Sequence, residues 1–62
     1  MSYAEAKKIA LLRLELRAQC CAGDRAGARE TLARFARAAG EDPALVGELR
    51  RWELKLDAAH AA

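Results

Sequence analysis

Aromatic carbon is scarce in this chain, with one Phe, one Trp and one Tyr among 62 residues, so any core must be built mainly from Leu and Ala. The single histidine, His60, sits near the C-terminal end, a poor place for a general base, and no second histidine stands at ligand spacing for a metal. Cysteine is limited to the neighbours Cys20 and Cys21. On a helix they point about 100° apart, and a disulfide between adjacent residues is badly strained. With no CxxC motif, two free thiols buried as small hydrophobes are expected. Gly23, Gly27, Gly40 and Gly47 are scattered and form no phosphate-cradling loop. No apolar run approaches the roughly 18 residues of a membrane span. The start, Met1-Ser2-Tyr3-Ala4-Glu5, lacks the basic n-region and apolar h-region of a signal peptide, which makes the cytoplasm the expected location.

Charge of one sign is also lacking. The formal net charge is +2, too small by itself to argue for a nucleic-acid partner. Glu15, Glu30, Glu48, Glu53 and Asp57 are spread along the chain. Glu53 and Asp57 share a helix face at a spacing of four, but with no nucleophile beside them they read as solvated carboxylates. No catalytic, cofactor-binding or metal-binding set emerges, so no enzyme activity, no cofactor and no metal are expected. Arginine exceeds lysine, the bias of a GC-rich bacterial genome. A single domain spanning residues 1–62 buries only about 60 % of the surface its unfolded form exposes. Without disulfides or metals, such a domain depends on efficient helix packing or on oligomerisation.

What is abundant is helix-forming residue content, chiefly Ala, Leu, Arg and Glu. Ser2 followed by Glu5 makes a capping box that starts a first helix over about 3–22. Gly23 suits its left-handed end. Asp24 caps a second helix over about 25–39, whose buried stripe is read as Ala28, Leu32, Phe35, Ala36 and Ala39. Arg25, Arg29, Glu30, Arg34 and Arg37 take its solvated face. Gly40 stops that helix, and Asp42-Pro43 supplies an N-cap carboxylate followed by proline at the first helical position. A third helix over about 43–59 then carries Leu45, Leu49, Trp52 and Leu56 on one face, with Val46 beside them and Leu54 opposite. His60, Ala61 and Ala62 are expected to fray. Two short turns make the three helices antiparallel neighbours, an all-α three-helix antiparallel bundle.

Two resemblances accompany this pattern. The segment from Leu12 to Gly40 resembles a single tetratricopeptide-type repeat, with Gly23-Asp24 at the turn, small Ala28 early in the second helix and Leu32 four positions on. It departs from the family at Gln19, Phe35 and Gly40. A lone repeat cannot cover its own hydrophobic face, so the resemblance implies a helical hairpin, a third helix acting as a cap, and a protein partner in place of missing repeats. Ala36, Gly40, Val46 and Leu49 stand at the spacing of the packed positions in a DNA-reading helix-turn-helix. Glu41 falls where that motif wants an aliphatic residue. Of the residues that would face the groove, Asp42 and Glu48 would repel phosphate, Gly47 offers no side chain, and only Arg51 would help.

The first helix has more apolar surface than one core needs. Ile9, Leu12, Leu16 and Cys20 form one stripe, and Tyr3, Ala10, Leu11, Leu14, Ala18 and Cys21 form a second on roughly the other side. A surface helix normally shows a single stripe. Ile9, Leu12, Leu16 and Cys20 have partners in Leu32, Phe35, Leu49 and Trp52, so the second stripe is the candidate partner-binding surface, for a second copy of the chain or a helical partner protein. A non-enzymatic adaptor, docking or chaperone-like subunit is therefore expected, and a small helix-turn-helix DNA-binding regulator is the alternative. Retention on duplex DNA separates the two: the interaction module shows none, whereas a regulator shows retention that falls steeply with salt.

Overall fold

The structure, a computed structural model, describes residues 2–61, with side-chain surroundings for residues 2–58. Three helices follow in order: α1 (Tyr3–Ala22), α2 (Arg25–Ala39) and α3 (Pro43–Ala61). The chain is all-α, a three-helix bundle measuring 38 × 20 × 13 Å between Cα extremes. The third helix continues two residues beyond the end expected at Ala59. The side chain of His60 lies outside the described residues.

Each helix boundary has a local cause. Ser2 Oγ accepts the Glu5 N–H at 3.2 Å, satisfying one of the orphan donors at the start of α1. At its other end Gly23 takes φ +74°. Its N–H reaches the Cys20 carbonyl at 3.3 Å while Asp24 N–H reaches Gln19 at 2.9 Å, which is the Schellman closure. Asp24 Oδ1 then accepts Gly27 N–H at 3.0 Å and starts α2. A Cβ at Gly27 would collide with that carboxylate, so the cap and the glycine are coupled. Asp42 repeats the device, accepting Ala44 N–H at 3.0 Å ahead of Pro43-led α3. Between α2 and α3, Gly40 has φ +54° and ψ −122° and Asp42 N–H bonds to the Ala39 carbonyl at 3.0 Å. That is a type II′ turn with glycine at its first central position.

The short turns fold α2 back along α1 and α3 back along α2, leaving α2 in close contact with both neighbours. The core is Ile9, Leu12 and Leu16 from α1, Ala28, Leu32, Phe35 and Ala39 from α2, and Leu45 and Leu56 from α3, with Cys20, Leu49 and Trp52 packed against it. Phe35 and Leu16 are wholly excluded from solvent. Ala28 is equally buried. Its small side chain sits where the sequence pattern asks for a close crossing.

Two expectations are corrected here. Ala36 is exposed, and Thr31 is buried in α2 instead. Buried α2 residues centre on Phe35, and Ala36 lies about 100° round the helix from it, at the edge of a cleft shared with Leu32, Leu49 and Leu56. Thr31 faces inward at low cost because its hydroxyl donates to the Gly27 carbonyl at 3.0 Å. Cys21 is also exposed, and only Cys20 is part-buried. The 100° step that argues against a disulfide carries Cys21 off the core face.

Gly40→Ala is expected to cost about 1–3 kcal/mol, since alanine rarely adopts that backbone conformation. Gly23→Ala is expected to cost about 1–2 kcal/mol for entering the left-handed helical region. Denaturant titration followed by helix content measures both. Equal stability of Gly40→Ala and the parent chain overturns the turn assignment.

Candidate interaction surface

The outer face of α1 holds the six residues of the second stripe. Tyr3, Leu11 and Leu14 are 84 %, 52 % and 60 % exposed, and Ala10, Ala18 and Cys21 are exposed too. At 100° per residue all six fall within an arc of about 100°, on the side opposite Ile9, Leu12 and Leu16. Leu11 and Leu14 are adjacent on one face, flanked by Ala10 and Ala18. Tyr3 stands about 12 Å along the axis from Leu11, at the end of the patch. Lys7 interrupts the stripe between them. Leu54, 63 % exposed, is opposite the core face of α3 as its position relative to Gly47 predicts, and Val46 is 38 % exposed rather than packed.

The flanks of the bundle are closed by ion pairs that sequence reasoning did not find. Arg13 on α1 donates through Nε and Nη2 to the two carboxylate oxygens of Glu48 on α3, each at 2.7 Å. Glu48 also accepts the Trp52 Nε1–H at 3.4 Å, while Lys55 Nζ sits 5.2 Å from the Trp52 ring centroid. Arg34 lies 3.8 Å from Glu15 across the α1–α2 seam, and Arg29 lies 3.6 Å from Asp57 across the α2–α3 seam. Two of the arginines expected on a solvated face, Arg29 and Arg34, thus sit at helix seams, although their side chains stay more than half exposed. Exposed pairs of this looseness contribute little. The bidentate Arg13–Glu48 pair is the better-held contact, with Glu48 only 19 % exposed and the planar guanidinium matched to the carboxylate.

That pairing shifts both groups. Hydrogen bonding from Arg13 holds the Glu48 carboxyl below its ordinary value of 4.5, against the opposing effect of partial burial and with help from Trp52. The same hydrogen bond raises Arg13, partly offset by burial.

No family model, curated protein or solved structure matches the chain. Among the described residues no group of three or more His, Cys, Asp or Glu side chains gathers to hold a metal ion, and no helix is long and apolar enough to cross a membrane. The positions that a DNA-reading motif needs packed, Ala36 and Val46, are exposed, and Glu48 is committed to Arg13. No sequence signal marks Arg13 and Glu48 as partners. They are 35 residues apart and meet only because α1 and α3 run in the same direction at a fixed stagger.

Because the native pKa of Glu48 is lowered, its contribution to stability is complete above its unfolded value near 4.5 and is lost as pH falls through the native value. Glu48→Gln is therefore expected to cost up to about 1 kcal/mol at neutral pH, the upper range for such pairs, and to lose less stability on acidification below pH 4.5. Thermal melts between neutral and acidic pH read the difference. Parallel curves for parent and variant overturn the assignment.

Proposed function

We propose that the chain is a non-enzymatic protein–protein interaction module, an adaptor, docking or chaperone-like subunit, that binds a helical partner protein or a second copy through the outer face of α1. The observation that carries this reading is the exposure of Leu11 and Leu14, at 52 % and 60 %, on a helix whose opposite face is already fully packed. Contiguous exposed apolar surface of this kind marks interaction sites. Ala10 and Ala18 beside the two leucines let a second helix approach closely. The chain's working location is the cytoplasm, and neither a membrane nor a nucleic acid is its partner.

The Leu14→Glu and Leu16→Glu variants separate surface from core. At micromolar concentration the parent chain is expected to sediment as a dimer or larger species, or to retain a partner protein from extracts of the cells that make it. Leu14→Glu abolishes either association while keeping helix content. Leu16→Glu unfolds the chain, since it buries an unpaired charge at a site wholly excluded from solvent. A folded monomer that neither self-associates nor retains anything the Leu14→Glu variant fails to retain overturns the proposal.

A further inference from the structure

The exposed face of α1 has a finer pattern than a stripe. Ala4, Lys7, Leu11, Leu14, Ala18 and Cys21 are spaced three, four, three, four and three apart, the a and d positions of a heptad repeat. All six are exposed. The positions that flank such a seam are Lys8, Glu15 and Ala22 on one side and Tyr3, Ala10 and Arg17 on the other, and all six are exposed as well. The neighbours α2 and α3 lie on the far side of α1, leaving this face clear for another helix along its length.

We infer that the occupant of this face is α1 of a second copy of the chain, running antiparallel about a two-fold axis near Leu11 and Leu14. The inference rests on the reading of this face as an interface, and charge complementarity selects the occupant and its direction. In an antiparallel pair each a position meets a partner d position. Leu11 then packs beside the partner's Leu14 twice, Lys7 lies over the partner's Ala18, and Ala4 sits beside the partner's Cys21. Like flanks face each other, so Lys8 meets the partner's Glu15, and the two-fold axis makes that ion pair twice. Arg17 meets the partner's Ala10, with no like charge opposed. A parallel pair does the reverse: Lys7 faces the partner's Lys7 in the seam, Glu15 faces the partner's Ala10, and Arg17 faces the partner's Ala22. It gains no ion pair and opposes two ammonium groups. Within one copy Glu15 lies 3.8 Å from Arg34, a loose pair with both side chains more than half exposed. It is therefore available to Lys8 across the seam at small cost.

Two measurements test direction and occupant together. In sedimentation, Lys8→Glu alone and Glu15→Lys alone are each expected to weaken the dimer roughly three- to tenfold, and the double variant to return it to near the parent affinity. For cross-linking, Cys20→Ala leaves Cys21 as the sole thiol, and Ala4→Cys is added to that background. Positions 4 and 21 of one helix are about 25 Å apart, so no disulfide closes within one chain. Under diamide, which takes up the two electrons and two protons, the chain with Ala4→Cys is expected to form a covalent dimer, whereas the chain with Cys21 alone stays monomeric on a denaturing gel. Efficient linkage through Cys21 alone means a parallel pair and overturns the inference. Self-association that Leu14→Glu abolishes, but with no charge rescue and no linkage from position 4, overturns the inference while the interface reading stands. Association that survives Leu14→Glu overturns both. A parent chain monomeric at every concentration overturns the second copy as occupant.

Discussion

A helix in a three-helix chain can be covered only as far as two neighbours reach, and in this molecule both neighbours of α1 lie on the same side. Leu16 and Phe35, both wholly excluded from solvent, mark the centre where that coverage is complete. The turns at Gly23 and Gly40 bring α2 and α3 to that centre, and Ala28 lets α1 and α2 cross closely enough to bury it. None of the described residues outside α1 reaches round to cover Leu11 and Leu14, which stay 52 % and 60 % exposed. The exposure of that apolar face follows from the number of helices and the shortness of the turns, and it is the observation on which the proposed interaction role rests.

Ion pairs arrange what the apolar core leaves loose. α2 holds both neighbours by direct packing, whereas α1 and α3 approach less closely and are spanned by the long side chains of Arg13 and Glu48. Glu48 serves two elements at once, tying α3 to α1 and accepting from Trp52 one turn further along its own helix. This keeps the indole half-buried, against the core on one side and under the Lys55 ammonium on the other. A salt bridge of this type adds modest free energy. Its place is between α1 and α3, the pair of helices that pack least closely.

Much of the fold was legible before any coordinates. Ser2, Gly23, Asp24, Gly40 and Asp42-Pro43 mark helix ends because each relieves a specific backbone shortage within a few residues, and such local causes are written in local sequence. The centres of the buried stripes follow from helical spacing, as for Ile9, Leu12 and Leu16 in α1 and Leu32 and Phe35 in α2. Ala36, Thr31 and Val46 lie at stripe edges, where burial depends on how far a neighbouring helix leans. Residue type predicts little there: an alanine is cheap to expose, and a threonine that bonds its own helix is cheap to bury. The exposed residues of the candidate surface were legible as a second stripe, but their freedom from cover depended on where α2 and α3 came to rest.

By itself, the sequence determined that there would be three helices, where each would begin, where α1 and α2 would end, and that α1 would carry two apolar faces, because periodicity and capping act over one or two turns. Only the tertiary structure decided that Thr31 would be buried and Ala36 left at the surface, and that Arg13 would meet Glu48 across 35 residues. The physical reason is the same in each case. Helix formation is set by contacts three and four residues apart, whereas the extent of cover at the edge of a stripe is set by how three packed cylinders share the apolar area they remove from water. That sharing has no local signature.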